Sequence, residues 1–137
     1  MQGRTMREIK FRAWLESLQV MVSVHKIEFL DDGKYIDCAL APSSMISRSS
    51  AKGERFVLMQ YTGANDKNGV EIYTGHIVKF VSRLDDSKRI GAVRYWAGDA
   101  AFLIECEREM FFLFHDALGR EVIGNIYENP EILKDTK

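Results

Sequence analysis

Three histidines, His25, His76 and His115, are the first candidates for metal binding or acid–base chemistry in this chain. A protein metal site needs three or four converging ligands that other groups hold in place. The histidines lie far apart, in no His-x-His or His-x-x-Glu spacing. Asp116 follows His115, but neighbours on a strand point to opposite faces. We therefore predict no metal ligand and no catalytic residue here, and we expect His76 to be exposed at the start of a strand.

A row of carboxylates, Glu105, Glu107 and Glu109, alternates along the sequence. On a β-strand these three side chains would share one face. They could then hold a divalent cation or act as a general acid and base. A solvent-facing strand edge explains the same pattern without any chemistry, and a helix would not align the three groups. We adopt the solvated edge, and we predict no cofactor and no enzymatic activity.

The segment 79–94 is rich in positive charge and could form a basic face. Its basic residues are Lys79, Arg83, Lys88, Arg89 and Arg94, and its acidic residues are Asp85 and Asp86. Tyr95 and Trp96 follow directly and could stack on nucleic-acid bases. A hairpin tip in water is also usually charged, and lysines on an edge strand guard against aggregation. Nucleic-acid binding by the hairpin 79–94 therefore stands as the alternative hypothesis to a solvated hairpin.

The bulk composition bounds the class of protein. The length of 137 residues is that of a single domain. Apolar residues make up 46% of the chain, enough for a hydrophobic core. Charged residues total 28% with a net charge of −1, which argues against a protein that coats nucleic acid through its overall charge.

The two cysteines and the hydropathy of the chain indicate the compartment. Cys38 and Cys106 form no Cys-x-x-Cys or Cys/His spacing, so we expect small apolar residues in a reducing environment. No apolar run approaches the roughly 18–20 residues of a membrane span. Residues 1–6 lack the apolar region of a signal peptide. We expect a cytoplasmic protein with no membrane partner.

The elements that must position these residues are short strands. Period-2 alternation predicts them at residues 9–13, 20–30 with a break near Lys26, 35–40, 55–61, 70–73, 76–81, 89–96, 100–106 and 121–127. For residues 107–114 we favour a strand over a helix, followed by one helical turn at residues 115–118. Asn129-Pro130-Glu131 has the order of a helix start, so a short C-terminal helix is expected.

Turn residues and one loose segment separate the strands. Asn68-Gly69 predicts a type I′ turn, in which both residues have positive φ. Residues 42–54 are rich in serine and predict a mobile surface loop, with one helical turn as an option. Phe111 and Phe112 cannot both face one side of a strand, so we expect one of them to meet another subunit or the C-terminal helix.

About eight short strands with frequent turns predict a small antiparallel barrel or sandwich. Gly75 and Gly91 would let the chain bend sharply where two strands enter a curved sheet. Both glycines precede apolar strands in the order typical of an SH3-like barrel. Such a barrel can be a binding module for protein or nucleic acid, or a scaffold only.

Three segments together carry a family resemblance. They are MREIKFRAW at residues 6–14, LMQYTGANDKNGVEIYTGHIVKF at residues 58–80 and EVIGNIYENPEIL at residues 121–133. In this order they resemble the YopX family of phage and prophage proteins. The resemblance implies a phage or prophage origin in a host cell and a compact fold of short strands that is able to oligomerise. It implies no activity, cofactor or catalytic residue.

The resemblance also sets the domain boundaries and marks one departure. It begins at Met6, so residues 1–5 are expected to be an N-terminal extension and residues 6–137 a single β domain. Similar sequences usually have Gly-Asp-Ile-Val where this chain has Gly75-His76-Ile77-Val78.

We predict a non-enzymatic phage or prophage module that binds a protein or nucleic-acid partner and can form a homo-oligomer. Polar residues at expected turns and strand starts supply the predicted contact surface: Asp66, Lys67, Asn68, His76, Arg83, Lys88 and Arg89.

Overall fold

The computed structural model describes residues 8–30, 35–40, 45–48 and 56–134, with side chains for 8–24, 26–29 and 56–134. The prediction of a mainly β fold with a short C-terminal helix is confirmed, since two antiparallel sheets are present and one of them is a curled half-barrel. The elements in chain order are β1 Phe11–Leu15, β2 Val20–Leu30, β3 Tyr35–Leu40, β4 Met45–Arg48, β5 Phe56–Asn65, β6 Glu71–Tyr73, β7 His76–Ser82, β8 Lys88–Trp96, β9 Ala101–Cys106, β10 Glu109–Phe112, β11 Ala117–Asn125 and α1 Glu131–Lys134. Among the described residues, no helix is long and apolar enough to cross a membrane.

The contacts of the chain group into two compact units, one of which is Ile9–Gln60. In this unit β4, β3, β2, β1 and the first half of β5 pair in that order, all antiparallel. Ala13, Leu15 and Phe56 form its small buried cluster. The pairing of β2 with β3 shifts register between Val24 and Lys26, which confirms the break predicted there.

The second unit continues from Tyr61 and contains the five-stranded sheet β10-β9-β8-β7-β11. Its core is the larger of the two clusters and includes fully buried Val78, Val93 and Ile104. Phe80 and Phe111 pack edge to face with ring centroids 5.3 Å apart. Each buried side chain of this size stabilises the fold by about 1.5–3 kcal/mol. The single-domain prediction stays a prediction.

Two predictions fall partly or wholly outside the described residues. The N-terminal extension 1–5 does so entirely. Within the segment 42–54, residues 45–48 form β4, which pairs with β3 where we expected a surface loop with one helical turn as an option. β4 contains only one serine, and its β-branched Ile46 favours a strand.

The loop between β5 and β6 differs from the predicted type I′ turn. Only Gly69 has positive φ, at +86°, while Asn68 does not. The Gly69 N–H donates to the Asp66 carbonyl at 3.0 Å, and the Asp66 N–H donates to the Val70 carbonyl at 2.8 Å. This pattern is that of a three-residue loop with a glycine bulge.

Within the segment 107–114, residues 109–112 form the strand β10, as we favoured, whereas residues 107–108 and 113–114 are turns. The helical turn expected at residues 115–118 is absent. A tight turn follows β10, and β11 begins at Ala117, which pairs with Ser82 of β7. Ala117 and Leu118 pair with Ser82 and Val81 of β7 and are therefore extended. Gly119 accordingly follows strand residues and is not the C-cap of a helix.

The two glycines predicted to bend strands have different roles. Gly75 has φ +92° and lies in the turn between β6 and β7, as expected for a bend. Gly91 lies inside β8 instead. A Cβ there would come within 2.5 Å of the Glu105 carbonyl oxygen and 2.6 Å of the Cys106 sulfur. Close approach of β8 and β9 therefore requires glycine at position 91.

Candidate functional site

An apolar groove of about 510 Å³ lies in the unit that begins at Tyr61. It adjoins β10, which is an edge strand of the five-stranded sheet. The lining residues are Thr62, Gly63, Ala100, Ala101, Phe102, Phe112, Phe114 and His115. None of these was among the predicted contact residues.

Two phenylalanines on the groove are unusually exposed. Phe112 is 43% exposed and Phe114 is 59% exposed, whereas Phe111, whose side chain points from β10 into the core, is only 2% exposed. Phe111 and Phe112 therefore face opposite sides of the strand, as predicted. Phe112 and Phe114 thus add exposed aromatic surface to the apolar lining of the groove.

The tight turn after β10 explains this exposure. Leu113 is fully buried, and its N–H donates to the Phe102 carbonyl at 3.1 Å. The Asp116 N–H donates to the Phe112 carbonyl at 2.9 Å, and the Phe112 N–H donates to Asp116 Oδ2 at 3.1 Å. With Leu113 and Asp116 turned inward, Phe114 and His115 are left in solvent.

His115 and Asp116 form a hydrogen-bonded pair that sequence reasoning set aside. His115 Nδ1 lies 2.8 Å from Asp116 Oδ1. We expected neighbours to point apart as on a strand, which is wrong because the two residues lie in a turn. The hydrogen bond from His115, followed by that from the Phe112 N–H, lowers the pKa of Asp116, although burial opposes this. The ionised carboxylate only accepts, so Nδ1 carries the proton.

Asp116 could orient His115 as a general base, yet the residues that line the groove include no activated nucleophile on which His115 could act. Thr62 is the one hydroxyl among the lining residues. Its Oγ donates to the Ile72 carbonyl at 2.8 Å and accepts from the Ala64 N–H at 3.1 Å. Within the described part of the chain, no group of three His, Cys, Asp or Glu side chains could hold a metal ion.

Two arginines lie near the turn that carries Phe114 and Asp116. Arg120 donates from Nη1 to the Leu113 carbonyl at 2.6 Å, and its guanidinium carbon lies 5.9 Å from the Phe114 ring centroid. The Arg83 N–H donates to the Asp116 carbonyl at 2.8 Å, and the Arg83 charge also favours ionised Asp116. The Arg120 guanidinium therefore lies beside the Phe114 ring, and the Asp116 carboxylate balances positive charge in this turn.

Of the seven predicted contact residues, Lys67, Asn68, Arg83 and Lys88 are exposed. The Arg89 side chain is 27% exposed. Whether these residues contact a partner stays a prediction. Asp66 and His76 are only 7% and 4% exposed, so our expectation that they are surface residues is wrong.

Asp66 is buried because its carboxylate joins the β5–β6 loop to β11. Oδ1 accepts the N–H groups of Asn68 at 2.8 Å and Val70 at 2.9 Å, and Oδ2 accepts the Val122 N–H at 2.9 Å. Burial works against the charged form, but these donors and the nearby Lys67 outweigh it and hold the pKa of Asp66 below its ordinary value. The residue stabilises the fold.

His76 is buried because it closes the turn between β6 and β7. Its Nδ1 accepts the Tyr73 N–H at 2.9 Å, and its ring meets the Tyr73 ring edge to face at 5.8 Å. An accepting nitrogen carries no proton, so this contact requires the neutral imidazole in its Nε2–H tautomer. Aspartate and asparagine place an oxygen at the same δ1 position, so either could accept the Tyr73 N–H there.

The predicted row of three glutamates is wrong. β9 ends at Cys106, so Glu105 lies in β9, Glu107 lies in the turn with φ +48°, and Glu109 lies in β10. Glu105 Oε1 lies 2.6 Å from Arg94 Nε. Glu109 pairs with Arg89 across the sheet. The carboxylates thus neutralise arginines of β8.

These pairs reduce the basic character of the hairpin 79–94. Besides the two arginines of β8, Lys79 lies 3.4 Å from Glu121. Exposed ion pairs of this kind contribute only about 0–1 kcal/mol each to stability, but they lower the local positive potential. Tyr95 and Trp96, at 52% and 49% exposure, remain available for stacking.

Cys106 is a free, buried cysteine, as the sequence predicted. Burial raises the pKa of the Cys106 thiol to about 11, so it remains protonated at neutral pH. Cys38 lies in β3, where side chains are outside the described residues.

The family described as YopX protein matches residues 10–134. The chain is 25% identical to protein EF1440 from Enterococcus faecalis, with a TM-score of 0.53, and the match covers 93% of this chain and 99% of that one. It is 19% identical to protein yopX from Bacillus subtilis, with a TM-score of 0.64 and coverage of 93% and 98%, a likeness of fold alone. None of the curated proteins matches the chain.

Proposed function

The chain belongs to the YopX family, and from that premise we propose that it is a non-enzymatic module that binds a protein partner in its apolar groove. The observation that carries this proposal is the exposure of Phe112 and Phe114 on one concave surface. Burying two such side chains against a partner would supply several kcal/mol, at about 1.5–3 kcal/mol each. The family resemblance favours a phage or prophage protein that acts in the host cytoplasm.

Affinity capture from phage-bearing cells tests the proposal. The baits are the tagged wild-type protein, Phe114→Ser and the control Leu84→Ser, which removes a still more exposed apolar side chain in the β7–β8 turn. We expect one protein to be captured by the wild type and the control and to be lost with Phe114→Ser. An identical set of captured proteins for all three baits, with folding checked by circular dichroism, would contradict the proposal.

Self-association is part of the same proposal, because exposed aromatic side chains also favour contacts between copies. Sedimentation velocity over a wide concentration range measures it. We expect the mass to rise with concentration, and to rise less for Phe112→Ser. A sedimenting species with the mass of the monomer at every concentration would remove the homo-oligomer from the proposal.

A second candidate is the nucleic-acid module that uses the hairpin 79–94. Exposed Tyr95 and Trp96 favour it, since aromatic side chains can stack on bases. The ion pairs of Arg89 and Arg94 count against it. Fluorescence anisotropy with single- and double-stranded DNA and RNA at about 50 mM salt tests it, because phosphate contacts are strongest at low salt. Binding that weakens in Lys88→Gln supports this candidate, whereas a flat curve eliminates it.

A further inference from the structure

We infer that the outer face of the five-stranded sheet, the face turned away from the core, binds the same face of a second copy of the chain. This inference rests on the proposed function, because it names the surface that self-association would use. The feature that points to it is a surface on β8, β9 and β10 where exposed apolar side chains lie beside one cation and one anion.

The strand register defines the outer face. Phe112 of β10 is paired with Leu103 of β9, which is paired in turn with Arg94 of β8. Paired residues on antiparallel strands point to one face, and residues two positions apart along a strand share it. The alternate residues of β9 belong to the core cluster, so this face is the one opposite the core. On these strands the outer face therefore includes Met110, Phe112, Leu103, Glu105, Arg94 and Trp96.

Three of these side chains give the outer face an exposed apolar surface. Met110, Phe112 and Trp96 are 38%, 43% and 49% exposed, and Leu103 is buried on the strand between them. Each half-exposed aromatic side chain offers about 100 Å² of surface, which is small beside the roughly 800 Å² that each partner of a standard interface buries. We therefore expect a weak dimer that forms only at high protein concentration.

The charges beside this apolar surface favour a second copy as the occupant. Arg94 Nε lies 2.6 Å from Glu105 Oε1, and the two side chains are 47% and 42% exposed. On the neighbouring strands Lys79 and Glu121 also form a pair, at 3.4 Å, and Lys88 lies at the other end of β8. With its cation and anion paired, the surface attracts neither nucleic acid nor a strongly charged protein.

Two-fold symmetry makes this surface complementary to itself. In such an interface the same patch faces its own copy, so each contact forms twice. Arg94 of one copy then meets Glu105 of the partner subunit, and Glu105 of the first copy meets the partner's Arg94. An exposed ion pair contributes little within one chain, so exchanging it for two pairs between chains costs little. The apolar side chains beside these pairs are buried in the same contact.

Charge reversal in the full chain tests the inference, with self-association measured by sedimentation velocity. Arg94→Glu leaves two acids at the paired positions, and Glu105→Arg leaves two bases, so copies of either variant should repel each other. We expect each variant to associate about tenfold more weakly than the wild type. An equal mixture of the two variants should associate at least as well as the wild type, because every acid then faces a base.

Lys26→Glu is the matched control, because it reverses an exposed charge in the unit Ile9–Gln60, which does not contain this sheet. It should associate as the wild type does. Circular dichroism of every variant checks that the fold is kept. The mixture is a second check, since only folded copies can restore the association.

Every other outcome overturns the inference. A mixture of the two variants that stays monomeric shows that the outer face does not meet its own copy. A wild type that stays monomeric at all concentrations also overturns it, whereas capture of a protein that depends on Phe114 still supports the proposed function. Self-association that Phe114→Ser abolishes, and that both charge reversals leave intact, assigns the contact to the groove. Loss of a captured protein with Trp96→Ser, from a chain that is monomeric, assigns the outer face to a different protein.

Discussion

At the scale of single residues, two buried polar side chains hold backbone groups that the strands leave unpaired. Asp66 accepts three N–H groups from two parts of the chain, and His76 accepts one within a turn. Buried backbone donors need such partners, since an unsatisfied donor costs about 1–3 kcal/mol. From the sequence we expected both residues to be exposed contacts, because Asp and His near glycine are common in exposed turns.

For Asp66 we expect Asp66→Ala to lower the free energy of unfolding by about 2 kcal/mol, because N–H groups including that of Val122 lose their acceptor. Urea denaturation followed by circular dichroism measures the change. Asp99→Asn, at an exposed aspartate in the β8–β9 turn, is the control and should be nearly neutral. Equal stability of the two variants would show that the Asp66 contacts contribute little.

For His76 the prediction compares two substitutions that remove the same ring. His76→Asn keeps an acceptor at the δ1 position for the Tyr73 N–H, whereas His76→Ala does not. We therefore expect His76→Asn to be more stable than His76→Ala by about 1 kcal/mol. Thermal and urea unfolding of the pair measure this difference. A stability order in the opposite sense would mean that the hydrogen bond to Tyr73 is unimportant.

At the scale of elements, the edges of the five-stranded sheet are both occupied by contacts other than strand pairing. At β11, the Lys67 N–H donates to the Arg120 carbonyl at 2.9 Å, and Asp66 accepts from Val122. At β10, the Asp116 carboxylate accepts the Phe112 N–H. Such contacts protect an edge strand from uncontrolled pairing with another chain. A partner is therefore expected to use the side chains of β10 and its turn, more than its backbone.

The close approach of β8 and β9 gives the prediction at this scale. In Gly91→Ala the new Cβ would lie 2.5 Å from a backbone oxygen of β9, so the strands must shift. We expect a loss of about 1–3 kcal/mol in the free energy of unfolding. Gly98→Ala is the matched control, since its Cβ would meet only the Trp96 side chain, at 3.1 Å. If both alanines were tolerated equally, the strands would have to be farther apart than the structure places them.

At the scale of the whole molecule, aspartates with lowered pKa values make stability depend on acid. Asp66 and Asp116 are the buried ones, and hydrogen bonds lower the pKa of Asp85 to about 2. A lowered folded-state pKa means that the unfolded chain binds protons first. The stabilisation is therefore complete above the ordinary value of 3.8 and is lost as pH falls through the folded-state values.

We expect the urea midpoint of the wild type to be level from pH 7 to about pH 5 and to fall below about pH 4. Asp66→Asn and Asp116→Asn should each flatten this fall, because asparagine does not titrate. Chemical unfolding in a series of buffers measures both effects. Parallel pH curves for the wild type and both variants would contradict this assignment.

Much of the fold follows from the sequence alone because strand formation depends on local period-2 alternation. That pattern predicted β3 with its observed bounds, the register shift near Lys26, and the opposite faces of Phe111 and Phe112. The same pattern did not decide which of the two is buried, because Glu109 shares the strand face of Phe111.

Only the tertiary structure decided the sites. The Asp66 carboxylate meets the Val122 N–H across 56 positions of sequence, and no local pattern encodes that contact. The His115–Asp116 pair and the groove exist because β11 pairs with β7 from Ala117 onward, which leaves residues 115 and 116 in a turn where we expected a helical turn over residues 115–118. Strand identity is a local property, whereas burial and pairing of polar groups depend on which distant strands meet. The sequence by itself therefore determined a β protein of the YopX type, and the packing of its strands decided which polar residues hold the fold and which aromatic ones are left for a partner.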